Sequence, residues 1–138
     1  MMRTINAWVD QATKFVDVPA RVLMSLLFRL SGFGKLAAVA PTQAYMAAFG
    51  VPGALLWPAA ALELAGGILL VIGLATRPTA LVLAGWCLLT AAIFHTAWSD
   101  QIQQVMFLKN MTMAGGFLML AKTGSWQASA DALLAPDR

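Results

Sequence analysis

The 138-residue chain is 60% hydrophobic and only 11% charged, with a mean hydropathy of +0.75, a composition that argues against an ordinary water-soluble domain and puts a membrane protein first. Its net charge is +3, but the nine basic residues are scattered among apolar stretches and form no stripe that would suit nucleic acid. The single cysteine, Cys87, lies in an apolar segment, which excludes a disulfide framework and a CxxC dithiol.

Residues 1–18 lack the compact apolar core and cleavage site of a secretory signal. Instead Ile5, Trp8, Val9, Ala12, Phe15 and Val16 recur at helical spacing, opposite Asn6, Asp10, Thr13, Lys14 and Asp17. This pattern predicts an amphipathic helix lying in the membrane surface. Four stretches then approach the roughly 20 apolar residues that a bilayer span requires: 19–37, 54–75, 78–98 and 104–122. Asp17 ahead of Pro19 suits the start of the first. The second and third are separated by little more than Thr76-Arg77-Pro78, too short for anything but a tight antiparallel hairpin. Gly124 can stop the fourth, and 125–138 is expected to be a cytoplasmic C-terminal segment whose "SWQASADALL" lies on a surface. The expected fold is all-α: an antiparallel bundle of four transmembrane helices over 19–124 with an interfacial N-terminal helix.

In such a bundle both termini and the 76–78 turn share one side, while loops 38–53 and 99–103 share the other. Arg3, Lys14, Arg21, Arg77, Lys122 and Arg138 fall on the first side, against Lys35 and Lys109 on the second. The positive-inside rule then places both termini in the cytoplasm and turns loops 38–53 and 99–103 outward in a multi-pass membrane protein.

One carboxylate, Glu63, sits inside the apolar run "LELAGGILLVIG". With the helix starting at Ala54 it lies at ~13 Å depth. Arg29, Lys35, His95, Lys109 and Asn110 come from the other three spans and fall at middle or outer depth. Charge in hydrocarbon costs several kcal/mol, so such groups pair, face the bundle interior or line a wet cavity. Ala59, Glu63, Gly66, Gly67 and Leu70 share one face of the second span; Ala84, Cys87, Ala91 and His95 share one of the third; Lys109, Met113 and Gly116 line up on the fourth. Small side chains beside one titratable group on each of three helices predict a narrow polar pocket.

The stretches "RVLMSLLFRLSGFGKL" at 21–36, "YMAAFGVPG" at 45–53, "LELAGGILLVIGLATRPTAL" at 62–81, "TAAIFH" at 90–95 and "FLKNMTMAGGFLMLAKTG" at 107–124 together resemble the DoxX family of small four-helix membrane proteins. The resemblance covers almost the whole chain. It implies a four-span inner-membrane protein in which Lys35, Glu63, His95, Lys109 and Asn110 occupy characteristic polar positions. It also implies redox or oxidative-stress physiology, since the wider group includes subunits and partners of thiosulfate oxidation coupled to quinone reduction, amine dehydrogenase maturation, and thiol and superoxide defence.

Each residue carries two readings. Glu63 is either a proton-exchanging or ligand-binding group, or one half of an internal ion pair with Arg29 or Lys109. His95 could donate to a quinone carbonyl or be a hydrated helix-end residue. Lys35 is expected to snorkel to water, which leaves Lys109, with Asn110 and the opposing Glu63, as the better ligand contact. Cys87 reads as packing; Tyr45, Trp57 and Trp98 read as interfacial anchors, with a lid over the pocket as the further reading. The methionines read as helix packing rather than copper ligands, and no metal site is expected. The ligand-binding candidates are therefore Glu63, His95, Lys109, Asn110, Arg29 and Lys35, with a quinone as candidate cofactor. The preferred function is an accessory component of a redox system with an outward-facing pocket for a small molecule. The alternative is a non-catalytic scaffold or maturation factor, and small-solute transport is a third reading that would require a homo-oligomer. Expected partners are the lipid bilayer and redox proteins.

Overall fold

The computed structural model describes residues 2–13, 15–125 and 128–134. Among these there are seven α-helices and no strand: α1 (Met2–Ala12), α2 (Asp17–Ala37), α3 (Val39–Ala48), α4 (Leu56–Ile72), α5 (Thr76–Phe94), α6 (Gln101–Thr123) and α7 (Ala130–Leu134). A 3-10 turn, Gly53–Leu55, leads directly into α4.

The apolar patterning dictates how these helices meet. On α2 the buried positions Arg21, Ser25, Phe28 and Gly32 recur every three or four residues, forming one stripe. That stripe packs along α4, whose buried face is Leu56, Ala59, Ala60, Glu63, Gly66, Gly67 and Leu70. Glycine permits the close approach: a Cβ on Gly32 would come within 2.7 Å of Leu64 Cγ and 3.2 Å of the Ala60 carbonyl oxygen. α5 packs along α6 as a second pair, and α4 and α5 also meet. Between the pairs lies a core of Phe28, Leu70, Ala80, Leu83, Ala84, Cys87, Ala114 and Phe117, with Phe28 and Phe117 edge-on at 5.4 Å between ring centres.

Among the described residues, two helical stretches are long and apolar enough to cross a bilayer unaided, Gly53–Ile72 and Thr76–Phe94; α2 and α3 would add a third if the bent pair is one span. α6 is 23 residues long, but Gln101, Gln103, Gln104, Lys109, Asn110 and Lys122 dilute its apolar character. The expected loop at 38–53 is largely helical instead. The ten residues of α3, rich in alanine, favour helix, and the chain turns by 103° between α2 and α3. The third expected span also ends early: α5 stops at Phe94, and His95 is its C-terminal cap with backbone φ −127° and ψ 44°. α1 has no buried residue, leaving Ile5, Trp8 and Val9 exposed. Lys14 and the "WQ" of the C-terminal stretch, Trp126 and Gln127, lie outside the described residues, as do 135–138.

At the end of α2 farthest from α3, a polar clasp ties the C-terminal segment to the α4–α5 turn. Gly73 ends α4 in the left-handed region at φ +67°, where L side chains are strained. The buried Arg21 donates to the carbonyls of Leu70 (3.1 Å), Val71 (2.8 Å) and Ala128 (3.0 Å) and lies 3.4 Å from Asp17. The first two are C-terminal carbonyls of α4, which attract a cation. Asp131 accepts from the backbone N–H groups of Ala75 (2.7 Å) and Thr76 (2.8 Å), satisfying donors at the start of α5 from a distant part of the chain. Partial burial works to raise the pKa of Asp131. The hydrogen bonds from Thr76 and Ala75 and the charge of Arg21 outweigh it, and its pKa lies below the ordinary value.

Candidate functional site

The other end of the bundle encloses a cavity of about 690 Å³ walled by α2, α3, α4, α5 and α6. Its floor is an ion pair. Lys35, on the cavity side of α2, places Nζ 2.7 Å from Glu63 Oε2 and 2.7 Å from Ser31 Oγ, one helical turn earlier. The second carboxylate oxygen, Oε1, accepts from the indole N–H of Trp86 at 3.0 Å. Glu63 is thus held from two helices, with its side chain 6% exposed against 21% for Lys35. A carboxylate in so dry a place keeps its charge only with a counter-ion and hydrogen-bond donors, and the surrounding chain supplies both.

On the α5–α6 side, His95 and Gln103 meet at 2.8 Å between Nδ1 and Oε1. The buried Asn110 donates from Nδ2 to the Met106 carbonyl at 2.9 Å, the bond expected one turn back on a helix. Lys109 is exposed and its Nζ lies 3.2 Å from Met106 Sδ. From α3 comes Tyr45, which packs against Phe49 and stacks on Phe94 of α5, with ring centres 5.0 and 5.6 Å away. The cavity therefore combines apolar and aromatic walls with a few fixed polar groups, the usual make-up of a small-molecule site.

Five of the six residues singled out in the sequence, Glu63, Lys35, His95, Lys109 and Asn110, line this one cavity. Arg29 does not. Its stem crosses the outer side of the α2–α4 contact, where a Cβ on Gly67 would meet Arg29 Cγ at 2.7 Å. The counter-ion of Glu63 is consequently neither Arg29 nor Lys109 but Lys35, the lysine expected to snorkel. Lys35 shares the α2 stripe with Phe28 and Gly32, and the tight Gly32 contact carries its stem against α4. The buried face of α6 is also one residue away from the expected one. Asn110, Ala114 and Phe117 point inward, while Lys109 and Gly116 are exposed and Met113 is half-buried, because Phe117 turns toward Phe28.

Ser31 and Trp86 were not singled out in the sequence. Ser31 precedes Lys35 by four residues, a helical neighbour that can be read from spacing. Trp86 lies deep within an apolar helix rather than in an interfacial belt, and its indole N–H there requires an acceptor. That was the available signal.

The DoxX family model matches residues 16–96, which include α2, α3, α4 and α5 and hence Lys35, Glu63, Trp86 and His95. The chain belongs to the DoxX family. It is 48% identical over 115 residues to inner membrane protein YqjF of Escherichia coli K12, covering 83% of this chain and 88% of the relative. To inner membrane protein YphA of the same organism it is 37% identical over 119 residues, covering 81% and 85%. No solved structure matches. The expectation of a helical DoxX-family membrane protein therefore stands, and the apolar helices Gly53–Ile72 and Thr76–Phe94 agree with the location in both relatives' names.

Proposed function

We propose that this is a bacterial inner-membrane protein whose bundle end, opening outward, binds a small amphipathic molecule such as a quinone headgroup as an accessory to a redox system. In this reading α2, α4, α5 and α6 cross the membrane as an antiparallel bundle, both termini are cytoplasmic, and α1 lies in the membrane surface. The observation that carries it is the Glu63 carboxylate, fixed by Lys35 and Trp86 on the wall of a cavity large enough for a ring-sized ligand. Lys35 and Glu63 would donate to and accept from the polar head, Asn110 and His95 would orient its far edge, and Tyr45 with Phe94 would cover its apolar body. A preorganised site of this kind needs little rearrangement on binding.

The test is titration of the purified protein in nanodiscs with a short-chain benzoquinone, read by tryptophan fluorescence. Saturable quenching should depend on Trp86 and should weaken at least about tenfold, or 1.4 kcal/mol, in Glu63→Gln and in His95→Ala. Quenching unchanged by Trp86→Phe, together with unaltered affinity in those two variants, would refute the reading.

One observation favours a second reading, a non-catalytic scaffold for partner proteins. Lys35 and Glu63 neutralise each other, as a purely structural pair would. In that case Glu63→Gln would lower stability and leave no ligand affinity to lose.

A further inference from the structure

We infer that the outer flank of the α2–α4 pair, centred on Arg29, is a docking surface for a transmembrane helix of another protein that carries a carboxylate at mid-membrane depth. The inference is independent of any ligand in the cavity.

Arg29 is twelve residues from the start of α2 and eight from its end, or ~18 Å and ~12 Å along the axis. Its neighbours Phe28, Ser31 and Lys35 face the cavity; Arg29, Leu26 and Phe33 lie on the other flank of the same helix. The side chain is half-buried against Gly67. Its Nε is buried and meets no hydrogen-bond partner among the described residues. A guanidinium in hydrocarbon costs several kcal/mol unless it pairs or reaches water. Helical side chains lean toward the N-terminus, and in that direction the remaining ~18 Å exceeds the reach of a three-carbon stem. A lipid headgroup is therefore a poor partner, and a carboxylate brought to the same depth is a good one.

Among the described residues the chain has none to offer. Asp17 lies beside Arg21, Asp100 caps α6, Asp131 caps α5 and Asp10 lies in α1. Glu63 is 4% exposed and committed to Lys35 and Trp86. A second copy would bring these same carboxylates, and a two-fold contact through this flank would set Arg29 near its own equivalent. Charge complementarity thus selects a different chain. The exposed Leu26, Phe33 and Ile68 give that helix apolar contact around the charge, and Ala61 on the same flank of α4, also exposed, leaves room for close approach.

The test uses the full chain, donor-labelled at its C-terminus, in phosphatidylcholine vesicles with an acceptor-labelled Leu/Ala single-span peptide carrying one central Glu or Gln. Energy transfer should show the Glu helix binding about tenfold more tightly than the Gln helix, as an intramembrane polar contact warrants. Arg29→Leu should abolish that preference, Arg29→Lys should retain part of it, and Lys109→Leu should leave it intact. Equal binding of the two peptides, or a Glu preference that survives Arg29→Leu, would overturn the proposal. So would self-association that Arg29→Leu abolishes, which assigns the flank to a second copy. Loss of the preference when phosphatidylglycerol replaces the neutral lipid would overturn it in favour of a headgroup.

Discussion

Consider stranding one member of the Lys35–Glu63 pair. At 2.7 Å and an effective dielectric constant of about 20, the bare attraction is ~6 kcal/mol, most of it offset by the desolvation of two ions. Removing a single partner of a fully buried pair costs about 3–5 kcal/mol. The two ends differ here, because the Glu63 side chain is 6% exposed and Lys35 is 21% exposed. Glu63→Gln leaves the ammonium with Ser31 and some access to water, so ~2–3 kcal/mol is expected. Lys35→Met leaves a nearly dry carboxylate with only Trp86 as donor and should cost more, ~3–4 kcal/mol. The double variant should lose less than the sum, with a coupling of about 1–3 kcal/mol. Reversible unfolding in mixed micelles titrated with SDS and followed by circular dichroism measures all four corners of the cycle. A coupling below about 0.5 kcal/mol, or Glu63→Gln costing more than Lys35→Met, would refute this account of the pair.

Gly73→Ala should destabilise by at least about 1–3 kcal/mol, since φ is +67° and a Cβ there would lie 2.4 Å from Ser129 Cβ and 2.6 Å from Arg21 Nη1. Gly85→Ala and Gly115→Ala, in helices with no atom within 4 Å of the new Cβ, should be neutral or stabilise by up to about 1 kcal/mol; thermal unfolding in detergent separates the two outcomes. Because the pKa of folded Asp131 is lowered from 3.8, its clasp contributes full stability above the unfolded value and loses it as pH falls through the folded value. Amide exchange at Ala75 and Thr76 should therefore accelerate as the pH drops below about 3.8 in the native chain, corrected for intrinsic exchange, and show no such step in Asp131→Asn. Reporter fusions should place residue 124 in the cytoplasm and residue 98 outside it; the reverse would overturn the proposed orientation of the cavity.

How much could be read beforehand differs between particular residues. The buried stripe Ala59, Glu63, Gly66, Gly67 and Leu70 of α4 is visible in the sequence because a 3.6-residue period survives any arrangement of neighbours. The same rule placed Ala84, Cys87 and Ala91 on one buried face of α5. It failed on α6, where polar residues on several sides leave no single apolar stripe and contact between Phe28 and Phe117 sets the rotation. It also missed α3, because a ten-residue alanine-rich segment between two spans has no period strong enough to distinguish helix from loop.

By itself, then, the sequence determined that the chain is helical, apolar and burdened with one carboxylate that hydrocarbon cannot tolerate alone. Those are properties of composition and local period, independent of which helices touch. Only the tertiary structure decided the counter-ion. A lysine near a helix end can swing to water or turn inward at similar local cost, and the choice follows from the Gly32 contact that presses α2 onto α4 and the indole that Trp86 brings from α5. The same packing that drew Lys35 to Glu63 left Arg29 on the opposite flank, separating two cations that in sequence are only six residues apart.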